Sequence, residues 1–300
     1  MGASIYLGKV LSAGTKGCNI IVPTTAPFTG LLDTYPNAAA AYSLRKLRSA
    51  YSGSAIRVRR SSDNAEQNIG FVNNVLDTAS LLTFCGAGNG FVTTWYDQSG
   101  NSYNVINSSA IGQPQIVSSG VVITKNSKPT TNFTTSNELL SPLNFNLSFF
   151  NASMFAIIQG NTGATEVLPF GFGKALNVAR IRSMYKPLNN SFSFAGWGAD
   201  YASSINFASD TQINQYSIIN TGTTPASPRG ITMYKNSTSE SGNTNADLLQ
   251  VDNGSFIING LSGYNFRGNM HFSEGIFYTT NKTPDASGIQ LNQKTFYGTP

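Results

Sequence analysis

The sequence is poor in charge, histidine and cysteine, and each shortage argues against a class of protein. Only 11% of its 300 residues are charged, less than half the usual share, which disfavours long surface helices built on Glu and Lys. One histidine and two cysteines, without a Cys-x-x-Cys motif, are too few for a common zinc site or a disulfide scaffold. Whether Cys18 and Cys85 are bonded to each other stays open. His271 would have to serve any Ser-His-Asp triad, but no Gly-x-Ser-x-Gly motif is present.

Long apolar runs are also missing, and so is a secretion signal. No stretch approaches transmembrane length, and the first ten residues contain no signal-peptide h-region. We therefore expect no membrane insertion and folding in a cytoplasm. The net charge of +5 makes nucleic-acid binding a function to consider. However, the basic residues cluster between Arg45 and Arg60 without a known nucleic-acid motif, which favours a solvated face or a subunit contact.

The chain is predicted to divide into an N-terminal arm, residues 1–30, and one β-domain, residues 31–300. The arm holds two short β-prone runs, at 5–7 and 19–23, and ends in a stretch rich in Pro, Thr and Gly. Apolar β-prone pieces invite pairing with another chain. An anchor on another subunit is therefore favoured over the alternative, an edge strand of the main domain.

Short β-prone runs separated by Gly, Asn, Ser and Pro clusters dominate the main domain and predict an all-β sandwich. Helices are predicted at 38–51, 77–85 and 284–297 from capping residues and apolar spacing. The predicted strands are 55–60, 91–96, 115–117, 121–124, 130–133, 153–159, 167–172, 191–195, 215–220, 231–235, 248–251, 256–259 and 270–279.

The run Phe91-Val-Thr-Thr-Trp-Tyr-Asp-Gln-Ser-Gly-Asn101 combines a β-strand with a polar turn. A buried strand that ends in such a turn delivers fixed polar groups to the end of a sheet. We interpret Trp95, Tyr96, Asp97 and Gln98 as a structural corner that ties neighbouring loops together. The alternative is a tip that contacts a ligand.

Three groups of residues are candidates for chemistry. A glycosidase needs two carboxyl groups about 5–5.5 Å or 6.5–9.5 Å apart. Glu274 is the candidate acid because strand alternation places it on the same face as Phe272 and Ile276. Its partner would be a loop carboxylate such as Asp200. Aromatic rings stack on sugars, so Trp197, Asp200 and Tyr201 are candidate glycan contacts, although Trp197 fits a cap over the core equally well. No metal or other cofactor is expected, but a calcium site remains an alternative, formed by Asp247, Asp252 and Asn253.

Two stretches carry a family resemblance. Residues 38–104, with Ile56-Arg-Val-Arg-Arg60, Thr83-Phe-Cys85 and Trp95-Tyr-Asp-Gln-Ser-Gly-Asn101 in order, resemble the N-terminal half of the α-L-arabinofuranosidase B catalytic domain. The last strands look like those of laminin-G and pentraxin-type lectin modules. The resemblance implies a concanavalin A-like (laminin-G/jelly-roll type) β-sandwich with a few short helices. The N-terminal block also resembles one found in structural proteins of tailed bacteriophages.

Departures from the arabinofuranosidase pattern determine the predicted function. The family's second cysteine after Phe-Cys is missing, and residues 260–269, which match the glycine loop that carries its acid Asp, hold no carboxylate. We therefore predict no enzyme activity but a virion structural protein: a bacteriophage fibre, spike or decoration subunit with a lectin-like, carbohydrate-binding domain for host attachment. The alternative is an arabinofuranosidase-like glycoside hydrolase.

The predicted partners follow from this interpretation. We expect a homo-oligomer attached to other virion proteins through residues 1–30 and presenting its sandwich to a cell-surface glycan. The bacteriophage resemblance implies that it is a homotrimer. Scarce charge lowers the desolvation cost of burying large surfaces between copies, and several weak sugar sites acting together gain avidity.

Overall fold

The computed structural model describes residues 27–142, 147, 149–160, 166–174, 181–196, 198–207, 211–220, 230–244, 251, 254–261 and 264–300. Most of the predicted arm therefore lies outside the described residues. The helices are α1 (Leu31–Thr34), α2 (Thr78–Cys85) and α3 (Ala286–Tyr297). Short 3₁₀ turns occupy Ala110–Gly112 and Thr283–Asp285.

Strands make up most of the remaining ordered structure. They are β1 (Ala40–Ser43), β2 (Ile56–Arg60), β3 (Glu66–Ile69), β4 (Phe71–Val72), β5 (Val75–Leu76), β6 (Gly90–Trp95), β7 (Val105–Ile106), β8 (Gln115–Ser118), β9 (Val121–Val122), β10 (Thr124–Lys125), β11 (Lys128–Pro129), β12 (Thr131–Phe133), β13 (Leu139–Leu140), β14 (Ser153–Gly160), β15 (Phe170–Gly173), β16 (Arg182–Tyr185), β17 (Ser191–Ala195), β18 (Tyr201–Asn206), β19 (Asn214–Asn220), β20 (Gly230–Lys235), β21 (Thr238–Asn243), β22 (Ser255–Ile258) and β23 (Met270–Tyr278).

The strands form the predicted β-sandwich, with antiparallel pairing throughout the described part of the chain. The first sheet runs β21–β20–β19–β14–β23, and β1 and β12 share the far edge of β23. The second runs β3–β2–β6–β7–β13–β22–β15–β16–β17–β18. Strand β8 pairs with both β6 and β12 and so joins the two sheets.

Aromatic side chains fill the space between the two sheets. The ring of Trp95 meets Phe272 edge-on with centroids 5.7 Å apart, and Phe256 meets Phe277 at 5.5 Å. Each pair joins a residue of the second sheet to one of β23. Edge-to-face packing of this kind adds to the gain from burying the rings. On the outer face of the first sheet, α3 buries Ile289 in a smaller cluster with Phe155 and Ile276.

Two of the three predicted helices are confirmed. Helix α2 begins after Asp77, whose carboxylate accepts from the Ser80 amide at 3.0 Å, and ends at Gly86. Helix α3 ends at Gly298, which adopts the left-handed conformation (φ 62°) that favours glycine at this position.

The predicted helix at 38–51 is wrong. Residues Ala40–Ser43 form β1, which pairs antiparallel with β23. Both faces of this strand are buried: Tyr42 points into the main core, and Ala41 packs in the smaller cluster under α3. Burial on two faces outweighs the intrinsic helix preference of the alanines. The basic residues expected to face solvent do not all do so, since Arg45 is only 8% exposed.

Candidate active site

An open cavity of about 360 Å³ lies where the last strands of the second sheet are connected. Tyr185 lines it from the end of β16, and Ala195 from the end of β17. Asp200 enters just before β18, and Phe266 comes from the segment that leads into β23. Four separate segments of the chain, including the one that carries Glu166, therefore build this site.

Two carboxyl groups, those of Glu166 and Asp200, line this cavity. The Tyr185 hydroxyl donates a hydrogen bond to Glu166 Oε1. The Gly196 amide donates to Asp200 Oδ1 at 2.8 Å. Burial raises the pKa of Tyr185, and the hydrogen bond to Glu166 and the charges of Glu166 and Asp200 raise it further. Both carboxylates therefore act on one phenol, which places them in a single electrostatic environment.

Aromatic rings form one wall of the cavity. Tyr185 and Phe266 meet edge-on with centroids 6.5 Å apart, and Tyr264 stacks on Phe266 at 5.9 Å. Phe266 belongs to 260–269, the segment that matches the glycine loop carrying the acid in the arabinofuranosidase resemblance. The cavity thus adjoins the place that the resemblance implies for a catalytic acid, although its carboxylates come from other segments. Rings beside carboxylates suit a sugar, which offers an apolar face and polar edges.

Glu274, the predicted acid, lies elsewhere because β23 contains a bulge. The β14–β23 register shifts so that Ile157 pairs with Glu274 and Ile158 with Phe272. One extra residue on β23 turns the following side chains to the other face. Phe272 therefore points into the main core, while Glu274 faces α3. The prediction that Glu274 shares a face with Phe272 does not hold.

The Glu274 carboxylate is fully buried and tied to several donors. Arg45 donates from Nε to Oε2 at 2.7 Å and from Nη2 to Oε1 at 2.9 Å. Ser43 donates to Oε2 at 2.7 Å, Gln293 to Oε1 at 3.1 Å and Tyr297 to Oε2 at 3.2 Å. Burial would raise the pKa of Glu274, but Arg45 and these donors hold it below its ordinary value. We assign this group to stability, because a catalytic carboxyl has to touch substrate.

The other predicted glycan contacts have different surroundings. Asp200 lines the cavity, whereas the hydroxyl of Tyr201 donates to Glu240 at 2.8 Å. Trp197 lies outside the described residues, so its role as a glycan contact stays a prediction. Glu166 was not among the predicted site residues, because the residues around it are typical of a turn. The one available signal was its position just before the apolar run Val167-Leu-Pro-Phe170.

Asp97, just after β6, joins strand β1 to the connection between β6 and β7. Its Oδ1 accepts from the amides of Ala41 at 2.8 Å and Ser99 at 2.9 Å. Its Oδ2 accepts from the Ser99 hydroxyl at 2.7 Å and the Tyr103 amide at 3.0 Å. Asp97 is only 4% exposed. All four bonds go to the protein itself, which is the arrangement of a structural corner.

Gln98 fixes the segment that follows β1. Its Oε1 accepts from the Leu47 amide at 2.8 Å, and its Nε2 donates to the carbonyls of Ser43 and Arg45 at 2.9 and 3.0 Å. The neighbouring Trp95 is buried in the core, and the Tyr96 hydroxyl donates to Asn68. These contacts hold the backbone from the end of β1 at Ser43 to Leu47.

Metal binding finds no support among the described residues, where no three His, Cys, Asp or Glu side chains come together. The alternative calcium ligands, Asp247, Asp252 and Asn253, lie outside that part of the chain. Cys85 is a buried free thiol, and burial raises its pKa. Cys18 also lies outside the described residues.

His271 gives a testable pH effect. Its Nδ1 is buried without a hydrogen-bond partner among the described residues, and burial, with the nearby charge of Lys125, lowers its pKa to about 4. A histidine in an unfolded chain titrates near pH 6.5. Between those values the unfolded chain binds a proton that the folded protein does not, so stability should fall as pH falls from about 6.5 to about 4. We expect His271→Gln to reduce the loss of unfolding free energy between pH 7 and 5, measured by urea titration. An unchanged pH dependence would contradict this account.

Comparison with known proteins finds similarity to arabinofuranosidases. Residues 33–130 match the family model described as alpha-L-arabinofuranosidase B, catalytic. An arabinofuranosidase complexed with arabinofuranosyl-α-1,2-xylobiose is 17% identical, with a TM-score of 0.60. A GH54 α-L-arabinofuranosidase soaked with a cyclic sulfate inhibitor is 17% identical, with a TM-score of 0.61. Each alignment covers 85% of this chain and 62% of the other, so this chain spans less than two thirds of those proteins. No curated protein sequence matches.

These comparisons correct the predicted function. The matched family model is a glycoside hydrolase catalytic domain, and no comparison points to a bacteriophage virion protein. The predictions of a non-enzymatic structural protein, of a fibre or spike, and of host attachment are therefore wrong. The departures noted in the sequence do not exclude a hydrolase, because the carboxyl groups of Glu166 and Asp200 line a cavity although both residues lie outside the matched segment. The predicted homotrimer stays a prediction.

Among the described residues, we find no helix with the length and apolar character needed to cross a bilayer.

The similarity to the solved arabinofuranosidases, together with the two facing sheets, places this chain among the sandwiches of that fold.

Proposed function

We propose that the protein is a glycoside hydrolase of the arabinofuranosidase type. The observation that carries this proposal is the cavity shared by Glu166 and Asp200, because hydrolysis of a glycosidic bond needs two carboxyl groups on either side of the scissile bond. The match of residues 33–130 to the arabinofuranosidase catalytic model supports the same class.

A hydrogen-bond donor holds each carboxyl group in place: the Tyr185 hydroxyl donates to Glu166, and the Gly196 amide donates to Asp200 at 2.8 Å. We assign Glu166 as the group that attacks the anomeric carbon or activates water. Asp200 then protonates the leaving oxygen, so that the bond between the anomeric carbon and that oxygen breaks as the alcohol is formed.

The surroundings of the cavity suit this chemistry. Leu168 and Phe266 line it beside the carboxylates and offer apolar surface to a sugar ring. Lys186 is buried next to the cavity, with its backbone paired to Val167, and burial lowers the pKa of its ammonium while Glu166 opposes that change.

A panel of 4-nitrophenyl glycosides tests the proposal on the unmodified protein. We expect turnover of the α-L-arabinofuranoside and much slower turnover of pyranosides, because a site of this family is shaped for a five-membered ring. Release of nitrophenolate is followed by absorbance, and reducing sugar is measured on a natural arabinose-substituted polymer. Absence of turnover on every member of the panel would overturn the proposal.

A further inference from the structure

A second cavity, of about 580 Å³, lies between the loop after β1 and the β4–β5 hairpin. It shares no lining residue with the candidate active site. Backbone contacts join the loop to the hairpin. The Lys46 amide donates to the Asn74 carbonyl at 2.9 Å, and Arg45 and Val75 form an antiparallel bridge. The cavity is therefore a preformed feature of the fold.

The hairpin turn has a fixed shape. Asn73 and Asn74 both adopt positive φ angles, 50° and 65°, as the two central residues of a type I′ turn do. The amide of Asp77 donates to the Gly70 carbonyl at 3.0 Å and fixes the other end of the hairpin. The amide side chains of the turn thus line the cavity from a rigid support, which lowers the entropy lost on binding.

The lining combines rings with polar groups. Tyr51 and Phe71 pack edge-to-face with centroids 6.3 Å apart. The Tyr51 hydroxyl donates to the Ser54 carbonyl at 2.8 Å, so the ring is held in place. Ser52, Asn73 and Asn74 add hydroxyl and amide groups. Rings that offer apolar surface beside many short polar groups match the faces and edges of a saccharide.

Charge narrows the ligand class. Lys46 lines this cavity, and no carboxylate does so among the described residues. Lys46 forms no ion pair with a described residue, and its ammonium lies 6.0 Å from the Phe28 ring. A cation without a neighbouring acid attracts an anionic group, and a charge-assisted hydrogen bond is stronger than a neutral one.

We propose that this cavity is an accessory binding site for an acidic saccharide, with Lys46 contacting the carboxylate of a uronic acid unit. The site would hold a polymer on the protein surface independently of hydrolysis. It goes beyond the proposed function and does not require turnover at Glu166 and Asp200.

Gly70 offers a position at which a substitution can block the cavity. Gly70 lines the cavity, and a Cβ placed on it meets no atom within 4 Å, so a side chain can be added there without a clash at Cβ. Gly70→Gln should therefore fill part of the cavity and leave the fold intact. Lys46→Gln removes the charge but not the backbone hydrogen bond of Lys46. Lys294→Gln, on an exposed position of α3, is the matched control for charge.

Titration calorimetry with trigalacturonate and its methyl-esterified form tests the inference. We expect the acidic probe to bind at least about tenfold more tightly than the ester, since the ester lacks the charge that Lys46 contacts. Lys46→Gln should remove this difference, Gly70→Gln should abolish binding of both probes, and Lys294→Gln should bind like the unmodified protein. Turnover of the aryl arabinofuranoside should be unchanged in Lys46→Gln and Gly70→Gln.

Three outcomes would overturn the inference. The unmodified protein could bind neither probe at millimolar concentration, or it could bind both equally. Gly70→Gln, with an unchanged melting temperature, could bind as tightly as the unmodified protein. Glu166→Gln separates the two proposals, because it should be impaired in hydrolysis of every substrate and keep binding at this cavity.

Discussion

Glu166→Gln is expected to lower kcat for 4-nitrophenyl α-L-arabinofuranoside by about 10³-fold, within the range for loss of an acid–base group. The amide removes the charge that attacks the sugar or activates water, while its size and its contact with Tyr185 are nearly kept. Because binding of the ring relies on the aromatic wall as well, we expect KM to change much less than kcat.

Asp200→Asn should show a different substrate dependence. Nitrophenolate leaves with little help from an acid, whereas an alkoxide does not, so loss of a proton donor matters most for unactivated substrates. We therefore expect Asp200→Asn to be far more active on the aryl substrate than on an arabinose-substituted oligosaccharide. Glu166→Gln should be impaired on both. Steady-state rates on the two substrates measure this contrast.

Glu66→Gln is the matched control for these variants. Glu66 pairs with Arg57 on the surface, and its side chain is 35% exposed. It lies in β3, in the N-terminal part of the second sheet, and the same change of carboxylate to amide there should leave both rates unchanged. Full activity of Glu166→Gln or Asp200→Asn on both substrates would show that the cavity carboxylates are not the catalytic pair.

Local sequence patterns predicted the strands well where both strand ends are marked. The run at 191–195 was predicted with the bounds that the structure has. Runs such as Tyr201–Asn206 and Thr238–Asn243 were missed because they are rich in Ser, Asn and Thr. Those residues pair as strands only when a neighbouring strand supplies the hydrogen bonds, and propensity does not contain that information.

The segment after residue 38 shows a second limit of prediction from local sequence patterns. Its alanines and its Leu-x-x-Leu spacing favour a helix locally. Insertion beside β23 and the hydrogen bonds from Gln98 instead impose an extended and irregular path. These contacts join residues more than 50 positions apart, so no window of the sequence reveals them.

The candidate active site was the least predictable feature. Glu166, Tyr185, Asp200 and Phe266 come from four separate segments of the chain. The sequence predicted two carboxyl groups as the requirement for a glycosidase and named Asp200, which lines the cavity. It paired Asp200 with Glu274, which lies elsewhere because a bulge in β23 turns its side chain toward α3.

Glu274→Gln is expected to destabilise the protein by about 3–5 kcal/mol, the usual cost of breaking a buried ion pair on one side. Arg45 would be left buried without its anionic partner, to which it now donates two hydrogen bonds. The same change also disturbs Tyr297, which anchors the end of α3. For a domain of this size, the melting temperature should fall by about 10 °C. Scanning calorimetry and urea titration at pH 7 measure both quantities.

The pH dependence of stability and a second variant distinguish a structural role of Glu274 from a catalytic one. Because the pKa of Glu274 is held below its ordinary value, the pair stabilises the fold above pH about 4.3, the value for an unfolded glutamate. That contribution is lost as pH falls through the lower folded value, so Glu274→Gln should lose less stability on acidification than the unmodified protein. The double change Arg45→Met with Glu274→Leu should recover much of the lost stability, because apolar residues often replace a buried pair without cost. A Glu274→Gln protein that melts like the unmodified one but has lost turnover would reverse the assignment and return Glu274 to the catalytic site.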